Sequence, residues 1–289
     1  MEKRRRIGAY GVVRDEQGRV LLVSGSASAW HLPGGGIDHA EDPRRTVVRE
    51  FQEETGLDVE IVGLRGVSSD FVEFPALGVL QHHDRLVFDV KVLGGVLTPE
   101  EGERADWLRP EDVELVPFAA RSLLGIELGN EINQRTRPFD DSDQPANSVR
   151  RFGAYGLITD PAGRLLLAQI APGYPGAGRW HLPGGGTDFG EQPAEGLIRE
   201  VMEETAQQME AAELVDVSFF HNPAAIGPEG VPLDWFSVRT VFRGRVTSPT
   251  VATVTEGAGG STAQSRWFAP DEVSTLTMTD LTRRALKHL

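Results

Sequence analysis

Apolar positions in this chain fall into short runs, and the runs come twice. Ile7-Gly8-Ala9-Tyr10-Gly11-Val12-Val13 returns as Phe152-Gly153-Ala154-Tyr155-Gly156-Leu157-Ile158, and Val20-Leu21-Leu22-Val23 returns as Leu165-Leu166-Leu167-Ala168. Between the runs stand Asp15-Glu16-Gln17-Gly18 and Asp160-Pro161-Ala162-Gly163, turn-forming sets that predict a hairpin in each copy. Farther on, Val47, Val48 and Phe51 form an apolar stripe at helical spacing, repeated by Leu197, Ile198 and Val201. Pro43 suits the first helical position, with Asp42 as N-cap. The runs 86–92 and 236–242 read as strands. The segment 106–113 matches 266–273, and an amphipathic stretch closes each copy, at 118–128 and 279–289.

Matching residues are 145 apart before one loop and 150 apart after it, so the second copy carries five extra residues within 171–178. Loops tune specificity on a fixed scaffold, so the two copies are expected to differ in what they accept. Residues 129–148 are polar and rich in Asn, Asp and Pro, which marks a linker. The expected organisation is one domain at 1–128, a linker at 129–148 and a second domain at 149–289, each folding separately.

The chemistry sits in the helix of each copy. Glu50, Glu53 and Glu54 are related by i, i+3 and i+4, as are Glu200, Glu203 and Glu204, so each trio shares one helix face. Three like charges there need a compensating cation, and hard oxygen donors suit Mg²⁺ or Mn²⁺. A solvated acidic face is the bland alternative for an arbitrary run of this kind. Here the glycine-rich lead-ins His31-Leu32-Pro33-Gly34-Gly35-Gly36 and His181-Leu182-Pro183-Gly184-Gly185-Gly186, a distant Glu and an adjacent Arg are all present, twice. No Lys-Ser or Lys-Thr follows the glycines, which excludes a P-loop.

From Gly35 to Leu57 the stretch GGIDHAEDPRRTVVREFQEETGL resembles the box of the Nudix superfamily, G-x5-E-x7-R-E-U-x-E-E-x-G-U with U apolar, at every specified position. The stretch from Gly185 repeats it except at its end: Ala206 stands where the last Gly belongs, followed by Gln207 in place of an apolar residue. That Gly would end the helix in the left-handed region, so Ala206 is expected either to cost about 1 kcal/mol or to let the helix run on. The resemblance covers nearly the whole chain outside the linker. It implies an α+β fold, two tandem α/β/α sandwiches each with a mixed β-sheet between helices. It also implies a metal-dependent hydrolase of the MutT-like kind, cleaving the pyrophosphate of a nucleoside triphosphate, ADP-ribose or nucleotide sugar by attack of water on phosphorus. The implied catalytic residues are Arg49, Glu50, Glu53, Arg199, Glu200 and Glu203. The implied metal ligands are Gly34 (through its carbonyl), Glu50, Glu53, Glu54, Gly184, Glu200, Glu203 and Glu204. Glu41 and Glu191 would support the network. The general base varies within the family, leaving Glu100, Glu101, Glu103 and Glu256 as further candidates.

Composition narrows the partners. The 289 residues carry a net charge of −14 and no cysteine. Disulfides, thiolate metal sites and cysteine nucleophiles are excluded, and with them the isopentenyl diphosphate isomerase branch of the superfamily. An acidic surface disfavours nucleic acid polymers and anionic membranes. The basic start, Met1 to Arg6, is followed by Arg14, Asp15, Glu16 and Arg19 rather than an apolar core, so a cytoplasmic protein is expected. The expected partner is a small nucleoside diphosphate derivative, with an intramolecular pseudo-dimer or a homodimer as assembly. One catalytic copy joined to one nucleotide-binding, regulatory copy is the alternative. Pro223, sixteen residues past the second box, is similar in placement to a proline of ADP-ribose pyrophosphatases, although a turn is its simpler reading. Trp30, Phe71, Tyr174, Trp180 and Trp235 offer rings for a base, with core packing the simpler reading. His82-His83-Asp84 reads as a strand edge rather than a metal site.

Overall fold

The computed structural model describes residues 1–25, 29–125, 133–134, 147–226, 230–255, 257 and 260–289. The first copy runs β1 (Glu2–Val12), β2 (Val20–Gly25), β3 (Gly34–Gly36), α1 (Pro43–Thr55), β4 (Leu57–Phe74), β5 (Val79–Gly95), β6 (Glu103–Leu108) and α2 (Pro117–Leu124). After the two-residue β7 (Asn133–Gln134), the second copy runs β8 (Ser148–Thr159), β9 (Leu165–Ile170), β10 (Trp180–His181), β11 (Gly184–Gly186), α3 (Pro193–Thr205), β12 (Glu210–Ile226), β13 (Pro232–Arg245), β14 (Thr262–Phe268), α4 (Pro270–Val273) and α5 (Asp280–Ala285).

The first copy's large sheet has the order β3-β1-β5-β4-β7, with β2 and β6 paired separately. β1 lies parallel to β5 and antiparallel to β3, so the sheet is mixed, as expected. The second copy repeats the pattern in the order β10-β9-β8-β13-β12, with β11 on β8 and β14 on β9. Both turns expected between the first two strands form. Asp15 and Asp160 each accept the N–H of the Gly three residues on, at 3.0 Å. The strands they join nevertheless part at once. β2 pairs β6 along its length, and β8 meets β9 at the single pair Thr159 and Leu165. Longer partners outcompete the local hairpin.

The helix reading holds in its main lines. The Asp42 side chain accepts the Arg44 N–H at 2.9 Å, and α1 ends at Gly56 with φ 68°. Val47 and Phe51 are fully buried, and full burial of a ring such as Phe51 contributes about 2–3 kcal/mol. Val48 and Ile198 lie outside the buried stripe, at 39% and 45% exposure. α3 also stops on time. Ala206 takes φ 53° and its N–H bonds the Met202 carbonyl, so the helix does not run on. Gln207 is buried and clamps the loop after β13, its amide donating to Thr250 Oγ1 at 2.9 Å and accepting from the Thr250 N–H at 2.9 Å.

The histidine reading needs correction. β5 is a central strand, and His82, His83 and Asp84 are all buried rather than at an edge. Asp84 accepts from Arg5 at 2.6 Å and from the Ser69 hydroxyl at 2.8 Å, and His83 meets Gln81 at 2.8 Å. A polar run survives burial when each group is paired.

By packing, the chain forms two units. One joins Met1–Arg150 with Phe219–Ser237, and the other joins Arg151–Ser218 with Val238–Leu289. The segment 219–237, which the repeat assigns to the second copy, therefore packs with the first unit. Most of the proposed linker lies outside the described residues.

Candidate active site

Each site is built from a glycine strand and the helix after it. β3 pairs antiparallel with β1, and β11 with β8, which holds the glycine carbonyls and amides against the helix face. A Cβ on Gly35 would stand 2.5 Å from Glu50 Oε1, and one on Gly185 would stand 2.8 Å from Glu200 Oε1. Only glycine lets these carboxylates close on the backbone.

Arg49 is the hub of the first site. Its Nε and Nη2 donate to the two Glu41 oxygens at 3.1 and 3.0 Å, and Nη1 donates to Glu50 at 2.9 Å and Glu53 at 3.1 Å. Nη2 also donates to the Gly36 carbonyl at 3.2 Å. Arg199 repeats the set: Glu191 at 2.9 and 3.0 Å, Glu200 at 2.9 Å, Glu203 at 3.3 Å and the Gly186 carbonyl at 3.1 Å. A planar five-donor fork can serve so many acceptors at once; an ammonium cannot. Thus the sequence-predicted Arg, the distant Glu and two of the three helix carboxylates come together in both copies.

The third carboxylate is held by backbone. The Gly34 N–H donates to Glu54 at 2.8 Å and the Gly184 N–H to Glu204 at 2.8 Å. Gly34 and Gly184 thus bond their carboxylates through the amide, whereas the resemblance assigned them a carbonyl role toward metal.

Electrostatics mark the face as short of positive charge. Burial pushes the Glu54 carboxyl well above its ordinary range, against the Gly34 bond, and Glu50, Glu103 and Glu100 push it further. Burial also raises Glu50, with Arg49 opposing, and it raises Glu103 with help from Glu100. For Glu41, burial pulls upward but the Arg49 and Thr46 bonds outweigh it, so that carboxyl is lowered. A supporting carboxylate held ionised beside a cluster of raised ones is an arrangement that a cation would complete. The donors are all carboxylate oxygens, which fits a hard divalent ion.

A family model for the NUDIX domain matches residues 4–124 and 149–289. The chain belongs to the Nudix family. Among curated relatives, a MutT-like protein from Streptomyces ambofaciens is 37% identical over 109 residues, 37% of this chain and 66% of that protein. A CMP-5'-(N-acetyl-N-hydroxy-3-aminopropyl)phosphonate hydrolase from Streptomyces rubellomurinus is 32% identical over 126 residues, 41% of this chain and 59% of that protein. The chain spans less than two thirds of the length of each. Among solved structures, a MutT NUDIX hydrolase from Burkholderia pseudomallei aligns at 29% identity over 49% of this chain and 99% of its own, with a TM-score of 0.39.

The two Nudix boxes differ at their ends. In the first, Glu100 and Glu103 come near enough to Glu54 to raise it. In the second, the Thr262 hydroxyl of β14 donates to Glu204, which is fully buried. Glu256 lies outside the described residues. Trp30 packs on the first core beside Leu115, and Trp180 packs edge-on against Phe268 at 4.6 Å, so both serve packing. Pro223 lies within β12, not in a turn.

Two cations escaped the sequence reading. Arg6 is close enough to lower Glu50, and Arg151 Nη1 would lie 3.6 Å from a Cβ on Gly186. Their signal was the recurrence of Arg5-Arg6 as Arg150-Arg151 at the strand start, read only as a mark of the repeat.

Proposed function

We propose that this protein is a pyrophosphohydrolase that cleaves the phosphoric anhydride of small nucleoside diphosphate derivatives, of the triphosphate, ADP-ribose or nucleotide-sugar class. The observation that carries the reading is the duplicated cradle in which one arginine aligns three glutamates against a glycine backbone. A divalent cation, Mg²⁺ or Mn²⁺, held by Glu50, Glu53 and Glu54 or by Glu200, Glu203 and Glu204, would act as Lewis acid and activate water. The chain supplies the rest. Arg49 and Arg199 fix the carboxylate rotamers through Glu41 and Glu191, so their orientation is set before substrate arrives. Arg6 and Arg151 offer positive charge beside the glycine strand, where a phosphate would lie. A box glutamate with a raised pKa is suited to take the proton from the attacking water, while the P–O bond opposite breaks and the second phosphate departs.

The Thr262 bond to Glu204 favours a second reading, in which the first copy hydrolyses and the second binds nucleotide without turnover. One experiment separates the two. The parent, Glu53→Gln and Glu203→Gln are assayed with Mg²⁺ on nucleoside triphosphates, ADP-ribose and nucleotide sugars for released monophosphate. Loss of turnover in either variant supports hydrolysis at that copy. No turnover of any substrate by the parent overturns the hydrolase reading.

A further inference from the structure

His39, on the loop between β3 and α1, meets His221 of β12 and Asp234 of β13, all three within the first packing unit. Asp234 Oδ1 lies 2.7 Å from His221 Nε2 and 2.9 Å from His39 Nε2. One oxygen thus faces two imidazole nitrogens, and the three potential donor atoms lie within 4.8 Å of one another. The rings stand 5.3 Å apart at 88°, so they converge without stacking.

His39 is the informative member. Its side chain is 7% exposed, and both ring nitrogens are sealed from solvent. Nε2 is close to Asp234 yet out of line for a hydrogen bond, and Nδ1 has no partner among the described residues. Phe236 packs on the His39 ring at 5.5 Å and Phe219 on Phe236 at 6.3 Å, which gives the cluster an apolar wall. A buried imidazole pays a desolvation cost that a misaligned contact does not repay. A ligand drawing both Nε2 lone pairs and the carboxylate to one point would repay it.

We propose that His39, His221 and Asp234 form a Zn²⁺ site, apart from the oxygen-lined boxes. Two imidazoles and one carboxylate are the donor types zinc takes at three-ligand sites, with a fourth position left to solvent. Mg²⁺ and Ca²⁺ prefer oxygen donors throughout and are poor matches. Zinc bonds of about 2.0–2.1 Å in a tetrahedron place donors roughly 3.3 Å apart. Asp234 therefore has to withdraw by about half an ångström, within the reach of a χ adjustment. The repeat offers a control: at an offset of 150, Phe189, Phe71 and Asp84 stand where His39, His221 and Asp234 stand, so the repeat-related position keeps the carboxylate but lacks both imidazoles. A metal here would also anchor the loop that carries Asp38 and Glu41 to β12 and β13.

The test uses the full chain with Mg²⁺ in excess, so that oxygen sites are filled, and titrates Zn²⁺, with Co²⁺ as the spectroscopic probe. One equivalent of Zn²⁺ should remain after dialysis, and Co²⁺ should give the intense visible absorption of a four-coordinate site. His39→Phe and His221→Phe should each weaken binding at least tenfold, and Asp234→Asn, which preserves shape if the larger changes disturb folding, should do the same. Glu53→Gln and Glu203→Gln should keep the equivalent and the band. Absence of the band in the parent, or its persistence in the folded Asp234→Asn protein and either histidine variant, overturns the proposal. In that case the cluster is a hydrogen-bonded contact only.

Discussion

The Thr262 hydroxyl donates to Glu204, so this box carboxylate has one oxygen on a side chain and the other on the Gly184 N–H. Among the described residues its counterpart Glu54 shares only the backbone bond, and it faces Glu100 and Glu103 instead. The first site therefore concentrates negative charge that a cation would neutralise, while the second satisfies it internally. Glu53→Gln is expected to remove the faster activity, by at least about 100-fold in kcat/KM. Glu203→Gln is expected to remove a slower activity with a different substrate preference. If Glu203→Gln leaves every activity and the Mn²⁺ stoichiometry unchanged, the second copy is a binding domain.

Arg49→Lys tests the hub. A lysine carries the charge but cannot reach Glu41, Glu50, Glu53 and the Gly36 carbonyl together. The Mg²⁺ concentration for half-maximal turnover should rise about 10–100-fold with little change in thermal stability. An unchanged Mg²⁺ dependence would show that the carboxylates hold their places without it.

Removing divalent cations should stop turnover and also cost stability. Burial raises the Glu50 and Glu54 pKa values, so in the metal-free fold these groups take stability away as pH rises above about 4.5 through the folded values. A bound cation favours the ionised forms and cancels that loss. Melting with and without EDTA should therefore differ more at pH 8 than at pH 5. Turnover undiminished in excess EDTA would sink the metal-dependent mechanism.

His181 should make stability pH-dependent in the opposite sense. Its Nε2 is sealed without a partner among the described residues, and burial, only partly offset by the Leu182 carbonyl, holds its pKa down at about 4. The unfolded chain binds that proton near pH 6.5 and the fold does not, so stability is complete above 6.5 and falls as pH drops toward 4. The loss amounts to about 3 kcal/mol across that window. Urea unfolding of the parent and His181→Asn at pH 7.5 and 4.5 would show it as a difference confined to the lower pH.

The helix ends supply a matched pair. Ala206 holds φ 53° without glycine's freedom, so Ala206→Gly should stabilise by about 0.5–1 kcal/mol. Gly56→Ala should destabilise by more than about 1 kcal/mol, because a Cβ there would also stand 2.8 Å from the Val96 carbonyl. Equal and negligible shifts in calorimetric melting would contradict both.

The box was legible because its chemistry is local: Arg49, Glu50, Glu53 and Glu54 reach one another across one helix turn, and spacing alone reports that. Glu41 was legible through its place in the repeat. Thr262 was not, since it meets Glu204 across 58 residues of chain with no pattern to announce it. The long strands β4 and β12 were missed. In β4, Gly63, Gly66, Ser68 and Ser69 interrupt any alternation of apolar and polar residues, and register shifts fall at Ile61/Gly63 and Leu64/Gly66. Polarity alone does not report exposure at His82 to Asp84, because pairing with Arg5, Ser69 and Gln81 makes burial tolerable.

The segment Phe219–Ser237 is inherited with the second repeat but packs with the first unit. Heredity and assembly therefore draw their borders in different places. A gene fragment ending at residue 148 would encode every box residue of the first copy and still omit His221 and Asp234. Exchanging one repeat for a homologous cassette would likewise carry a foreign strand pair into the unit left behind. Such a chain can drift in either box independently, whereas a metal held by His39, His221 and Asp234 would tie changes in one repeat to changes in the other.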